Sequence, residues 1–156
     1  MADEKMLRAQ QVYQTICAAL DARNWKYRKD PKELEVYFGV NGEDLPMEFA
    51  ILADEERQLI RVLSPLPFKM SEDKRVEGAI AACAATFGFA DGGFDYDIRT
   101  GRIVFRISAC YRESVIGEDL IQYLISCACA MVDKYNDKFL ALSKGIMTLQ
   151  AFLEKK

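Results

Sequence analysis

The stretch from Phe94 to Ile107 constrains the fold of this chain more than any other. Phe94, Tyr96 and Ile98 alternate with Asp95, Asp97 and Arg99, and then Ile103, Phe105 and Ile107 alternate with Val104 and Arg106. A period of two gives each half one apolar face, so two strands are predicted. Arg99-Thr100-Gly101 between them suits a three-residue hairpin loop, with Gly101 in the left-handed conformation that glycine adopts at no steric cost. Such a hairpin fixes the register of a sheet.

The rest of the chain supplies elements of two kinds. From Lys5 to Ala22, Met6, Ala9, Val12, Tyr13, Ile16, Cys17 and Leu20 recur at helical spacing and predict an amphipathic first helix. Trp25 and Tyr27 alternate with Lys26 and Arg28, a short strand that Pro31 interrupts. Alternation over Leu34–Val40, Met47–Ile51 and Gln58–Leu63, with short polar links, predicts three strands in an antiparallel meander. In the third, Leu59, Arg61 and Leu63 oppose Ile60 and Val62, which leaves the inward face open.

Ser64-Pro65-Leu66-Pro67 is expected to leave the sheet as a crossover, since proline brings no ladder donor. Ser71 is placed to cap a helix, with Glu72 and Asp73 at its positive end. Val76, Ala79, Ile80, Cys83, Ala84 and Phe87 form that helix's expected core stripe, widened by Ala81, Ala82 and Ala85; Gly88 and Gly92-Gly93 end it. The longest helix runs from Glu118 to Leu142. One of its stripes includes Leu120, Leu124, Cys127 and Met131, and an adjacent one Ile121, Ile125, Ala128 and Val132. Together they exceed the roughly 100° that a helix lying on one sheet needs. Residues 143–156 hold Gly145 and then apolar residues suited to a short final helix.

The 156 residues suit one domain, and 51% of them are hydrophobic, enough for one core. A net charge of −3 gives no general pull toward nucleic acid or anionic membrane. The amino terminus lacks a secretory pattern, and no apolar run approaches the roughly 20 residues that cross a bilayer. Five cysteines, an odd number, fit reduced core thiols, and the expected location is the cytoplasm. There is no histidine, which removes the commonest general base and zinc ligand.

The order helix, three strands, helix, two strands, long helix predicts an α+β fold with one antiparallel sheet. Leu66-Pro67 followed by Ser71-Glu72-Asp73-Lys74-Arg75 is similar to the "LP…PEDKR" helix start of the YbjN family of bacterial sensory transduction regulators. Gly93-Phe94-Asp95-Tyr96-Asp97 through Thr100-Gly101-Arg102-Ile103 is similar to that family's "G-F-x-x-D…G-x-I" hairpin. Over about Val36 to Leu142 the chain resembles this family and its type III secretion chaperone-like fold. The resemblance implies a soluble bacterial protein, and the secretion chaperones of that fold are homodimers that bind extended segments of client proteins without chemistry.

Candidate sites compete with plain structural readings. Cys127 and Cys129 lie two apart on a helix, on opposite sides, and read as core rather than as a metal or redox pair. Asp95 and Asp97 share a strand face and, with Glu113, sketch a small metal-dependent hydrolase, but Arg99, Arg102 and Arg106 make the same residues a solvated face. Lys26, Arg28 and Lys29 beside Trp25 and Tyr27 resemble a nucleic-acid patch, against which stands a charge-protected edge strand. No catalytic residue, metal or cofactor is expected. The favoured reading is a non-enzymatic protein-binding regulator or chaperone-like adaptor acting as a homodimer, with Ile80, Cys83, Ala84, Leu124, Ala128 and Met131 in self-association and a protein segment as partner.

Overall fold

The computed structural model describes residues 2–154. Helix α1 (Ala2–Ala22) is followed by strands β1 (Arg28–Asp30), β2 (Glu35–Asn41), β3 (Pro46–Asp54) and β4 (Leu59–Lys69). A one-turn 3-10 helix (Glu72–Lys74) leads into α2 (Arg75–Thr86); then come β5 (Gly92–Asp97), β6 (Arg102–Cys110), α3 (Glu118–Ser143) and α4 (Leu149–Glu154). The six strands form one antiparallel sheet in the order β1-β2-β3-β4-β6-β5. The α+β architecture and the 94–107 hairpin agree with the sequence reading. The short strand expected from Trp25 to Arg28 is displaced to Arg28–Asp30 as β1, which makes four strands before α2 where the element order counted three.

One face of the sheet makes the core. Val36, Ile51, Val62 and Ile107 lie in register across four strands and are fully buried, which settles β4 in favour of Ile60 and Val62 inward. Phe38, Phe49, Phe94 and Phe105 extend that layer, and α3 lies across it through Ile121, Leu124, Ile125, Ala128, Val132 and Phe139. On the open face Tyr37, Ala50, Leu63 and Arg106 stand in register. The excess apolar width of α3 is consumed inside the molecule, because α1, α2 and α4 pack beside it.

Three reversals use one device. Asp30–Leu34, Asp54–Gln58 and Asp97–Gly101 each open on an aspartate whose Oδ1 accepts a backbone N–H two or three residues on: from Glu33 at 3.2 Å, Arg57 at 2.9 Å and Arg99 at 3.0 Å. The fifth residue of each turn is left-handed, with φ of 54° at Leu34, 56° at Gln58 and 78° at Gly101. The aspartate carboxylate thus replaces the strand partner that the turn's amide lacks.

β4 corrects the expected crossover, because it stays in the sheet through both prolines. Pro65 pairs with Val104 and Lys69 with Arg102, with an irregularity between them. Pairing with β3 ends at Leu63, so beyond it only the β6 side of β4 needs ladder donors. The Glu48 carbonyl, which faces Pro65 if the β3–β4 register is continued, accepts a 2.7 Å hydrogen bond from buried Ser64 Oγ. Ser71 likewise precedes the 3-10 turn without capping it, and its hydroxyl donates to the Ser143 carbonyl at 2.9 Å, tying α2 to the end of α3. Gly92 and Gly93 do not terminate the helix but lie in β5 opposite Ile107 and Arg106.

Candidate functional site

Between Glu77 and Asp91 no residue is charged, yet α2 lies at the surface. Its rotation is set by the smallest residues. Gly78, Ala81, Ala82 and Ala85 are buried, and a Cβ on Gly78 would lie 2.6 Å from the Tyr96 hydroxyl oxygen. A Cβ on Gly93 would collide with the Thr86 side chain. Thr86 Oγ1 accepts from the Phe94 amide at 2.9 Å, and Tyr96 OH donates to the Arg75 carbonyl at 2.6 Å, so α2 closes the β5 edge of the sheet. With backbones this close, only glycine and alanine fit between them, and the larger apolar residues turn outward.

The expected core stripe is therefore the outer face. Val76 is 66% exposed, Ile80 44% and Phe87 91%; Cys83 and Ala84 are exposed beside them. Of the six residues expected in self-association, Ile80, Cys83 and Ala84 share this surface. The α3 residues do not join them: Leu124 and Ala128 are buried in the monomer core and Met131 is half-buried, so Leu124 and Ala128 are withdrawn as contact residues. Tyr123 is the exposed neighbour on α3, its hydroxyl donating to the Asp91 carboxylate in the loop after α2. That bond, with Cys127 beside it, raises the phenol's pKa.

The opposite edge of the sheet is open. β1 pairs only with Glu35–Tyr37, and among the described residues no strand covers the outer edge of β2 from Phe38 to Asn41. A hollow of about 400 Å³ lies there, lined by Lys26, Tyr27, Arg28, Tyr37, Gly39 and Glu48 with Phe38. Gly39 has no positive φ, and a Cβ there would meet its nearest atom at 3.6 Å, so the hollow comes from a missing side chain rather than from backbone need. Arg28 stands 5.7 Å from the Tyr37 ring centre and Lys29 5.7 Å from that of Tyr27. Trp25 packs on Phe38 at 5.1 Å between centroids, and Lys29 stands over the Tyr27 ring, so each ring already has a face engaged within the molecule.

The acids sketched as a hydrolase do not converge. Asp95 accepts from Arg106 Nε at 2.8 Å and Nη2 at 2.9 Å, a two-point pair across β5 and β6. Asp97 accepts from the Arg99 amide at 3.0 Å, and that bond leads the causes that lower its pKa. Glu113 follows the far end of β6, about 25 Å along the strand from the Arg102 that faces Asp97. Cys129 is half-buried, and burial followed by Asp133 raises its thiol to about 11. Cys127 is also half-buried and Cys17 buried, while Cys83 and Cys110 are exposed rather than in the core.

No family model and no curated protein matches the chain. Among solved structures, a chain of the HopA1–SchA chaperone–effector complex superposes with a TM-score of 0.49 at 10% identity, covering 89% of this chain and 94% of that one. A likeness at that level carries no weight for function. No helix among the described residues is long and apolar enough to cross a membrane.

Proposed function

We propose that this chain is a non-enzymatic protein-binding regulator or chaperone-like adaptor of the YbjN type, and that it acts as a homodimer. The observation that carries the reading is the outward apolar stripe of Val76, Ile80 and Cys83 on α2 and Phe87 at its C-cap, uncharged from Gly78 onward, with Phe87 91% exposed while Gly78 and alanines fill the buried side. A surface helix of a monomer presents charge on its outer face; an outer face that is apolar along its length is suited to another protein. Support against chemistry comes from the acids, since Asp95 is neutralised by Arg106 and Glu113 stands apart.

The partner segment is assigned to the open edge of β2. An extended chain can pair with the backbone of Phe38–Asn41 and set one side chain in the hollow at Gly39. Lys26 and Arg28 favour acidic residues in that segment. The test replaces Lys26 by a photocrosslinking side chain in the full-length protein. A partner captured from native extract, and lost when Gly39→Val fills the hollow, is the expected result. Capture that persists unchanged in Gly39→Val would refute this assignment.

A further inference from the structure

The open edge of β2 is short and has one closed end. β1 pairs with β2 from Glu35 to Tyr37, which leaves Phe38 to Asn41 free, and alternate residues among these turn their N–H and C=O groups outward. The chain that enters β1 stands at the Tyr37 end, with Trp25 on Phe38 and the Tyr27 hydroxyl donating to Asp21 at 2.8 Å. A segment laid along the edge meets residues 26–28 head-on. It must turn away there or stop.

Charge is divided along the same edge. Lys26 and Arg28 stand at the closed end, exposed and without an ion-pair partner among the described residues, and Arg28 leans on the Tyr37 ring at 5.7 Å. The acids behind them are committed: Asp30 accepts from the Glu33 amide, and Glu35 accepts from the Tyr37 hydroxyl. Glu48 lies opposite Gly39, about 7 Å further along the sheet, with its Oε1 3.7 Å from where a Gly39 Cβ would stand. The hollow is therefore positive where the edge closes and negative at Gly39.

We propose that this edge takes the free C-terminus of a partner chain, running antiparallel to β2, with the terminal carboxylate between Lys26 and Arg28. The proposal rests on the partner-segment reading above and names the part of a partner that the edge takes. A strand antiparallel to β2 begins opposite Asn41 and reaches β1 opposite Phe38, so a chain that ends there needs no turn. Its carboxylate gains two cations and its backbone gains the outward groups of β2. A parallel strand would bring an α-amino group to Lys26 and Arg28, a like-charge contact. The residue before the last lies opposite Gly39, where there is room for its side chain and where Glu48 disfavours a second acid. One terminal negative charge suits both halves of the hollow, and a run of internal acids does not.

The experiment immobilises the full-length protein and offers it two synthetic octapeptide pools, each randomised at the last four positions. One pool has free C-terminal carboxylates and the other is amidated; retained peptides are read by mass spectrometry. Retention of the free-acid pool at least about tenfold above the amidated pool is expected. The best retained peptide, carrying fluorescein at its N-terminus, is expected to lose at least about tenfold in affinity when amidated, and again when wild type is replaced by Lys26→Gln/Arg28→Gln of unchanged urea midpoint. Equal retention of the two pools, no retention of either, or a free-acid preference that survives the double variant overturns the proposal. The photocrosslinking described above tests the edge separately. Partner capture that Gly39→Val abolishes, together with equal retention of the pools, refutes the terminal carboxylate alone, whereas capture that Gly39→Val leaves unchanged refutes the edge itself.

Discussion

Gly101 and Gln58 occupy equivalent places in two of the three aspartate-led turns, and only one of them is a glycine. At Gly101 the conformation and the space both exclude a side chain, because φ is 78° and a Cβ would stand 2.5 Å from the Met70 carbonyl oxygen. Gly101→Ala is therefore expected to cost about 2 kcal/mol or more, read from urea unfolding. At Gln58, where φ is 56°, Gln58→Gly is expected to gain a few tenths of a kcal/mol up to about 1, strain relief slightly exceeding the added freedom of the unfolded chain. These residues also mark how far the sequence could be read. Gly101 announces its left-handed turn by being glycine, whereas nothing in the chemistry of Leu34 or Gln58 does so. Asp97 adds a pH dependence. Its folded pKa is lowered first by the Arg99 amide and then by the Arg99 and Thr100 side chains. The stability it adds is present above the ordinary aspartate value of 3.8 and is lost as pH falls through the folded value. Asp97→Asn is expected to shrink the difference between urea midpoints measured near pH 6 and near pH 3; an unchanged difference would remove Asp97 from the account.

Strands were legible as elements wherever apolar and polar residues alternate, and β2, β3, β5 and β6 follow that pattern. β4 was legible only to Leu63, because proline normally ends a central strand. Its continuation depends on a compensation that no periodicity reveals: β3 parts from β4 after Leu63, and Ser64 supplies a hydroxyl to the Glu48 carbonyl. Ser64→Ala would leave that carbonyl without this donor in a buried setting and is expected to destabilise by about 1–2 kcal/mol, measured by thermal or urea unfolding. The rotation of α2 is hidden from the sequence for a related reason. Periodicity finds a stripe, but which stripe is buried depends on how near the neighbouring backbones stand, and Gly78 against Tyr96 and Thr86 against Gly93 bring them very near. The wide α3 was ambiguous in the opposite sense. Both its stripes are consumed, one by the sheet and one by flanking helices, so Leu124 and Ala128 serve the monomer.

At the scale of the molecule, the sheet is closed on one face by helices and on its β5 edge by α2. It stays open on its other face and along β2 beyond the short β1. The sequence indicated the closed face through its alternating apolar residues. It could not indicate the open edge, because that edge begins where the three-residue β1 stops pairing with β2. An apolar helix on one side and a bare strand edge on the other divide the surface into a place for a second copy and a place for an extended partner. The division depends above all on α2 being a contact surface. Sedimentation velocity at micromolar concentration, on wild type and on Phe87→Glu, measures this most directly. A dimeric wild type and a monomeric, folded Phe87→Glu are expected, whereas a wild type that sediments as a monomer throughout would contradict the account.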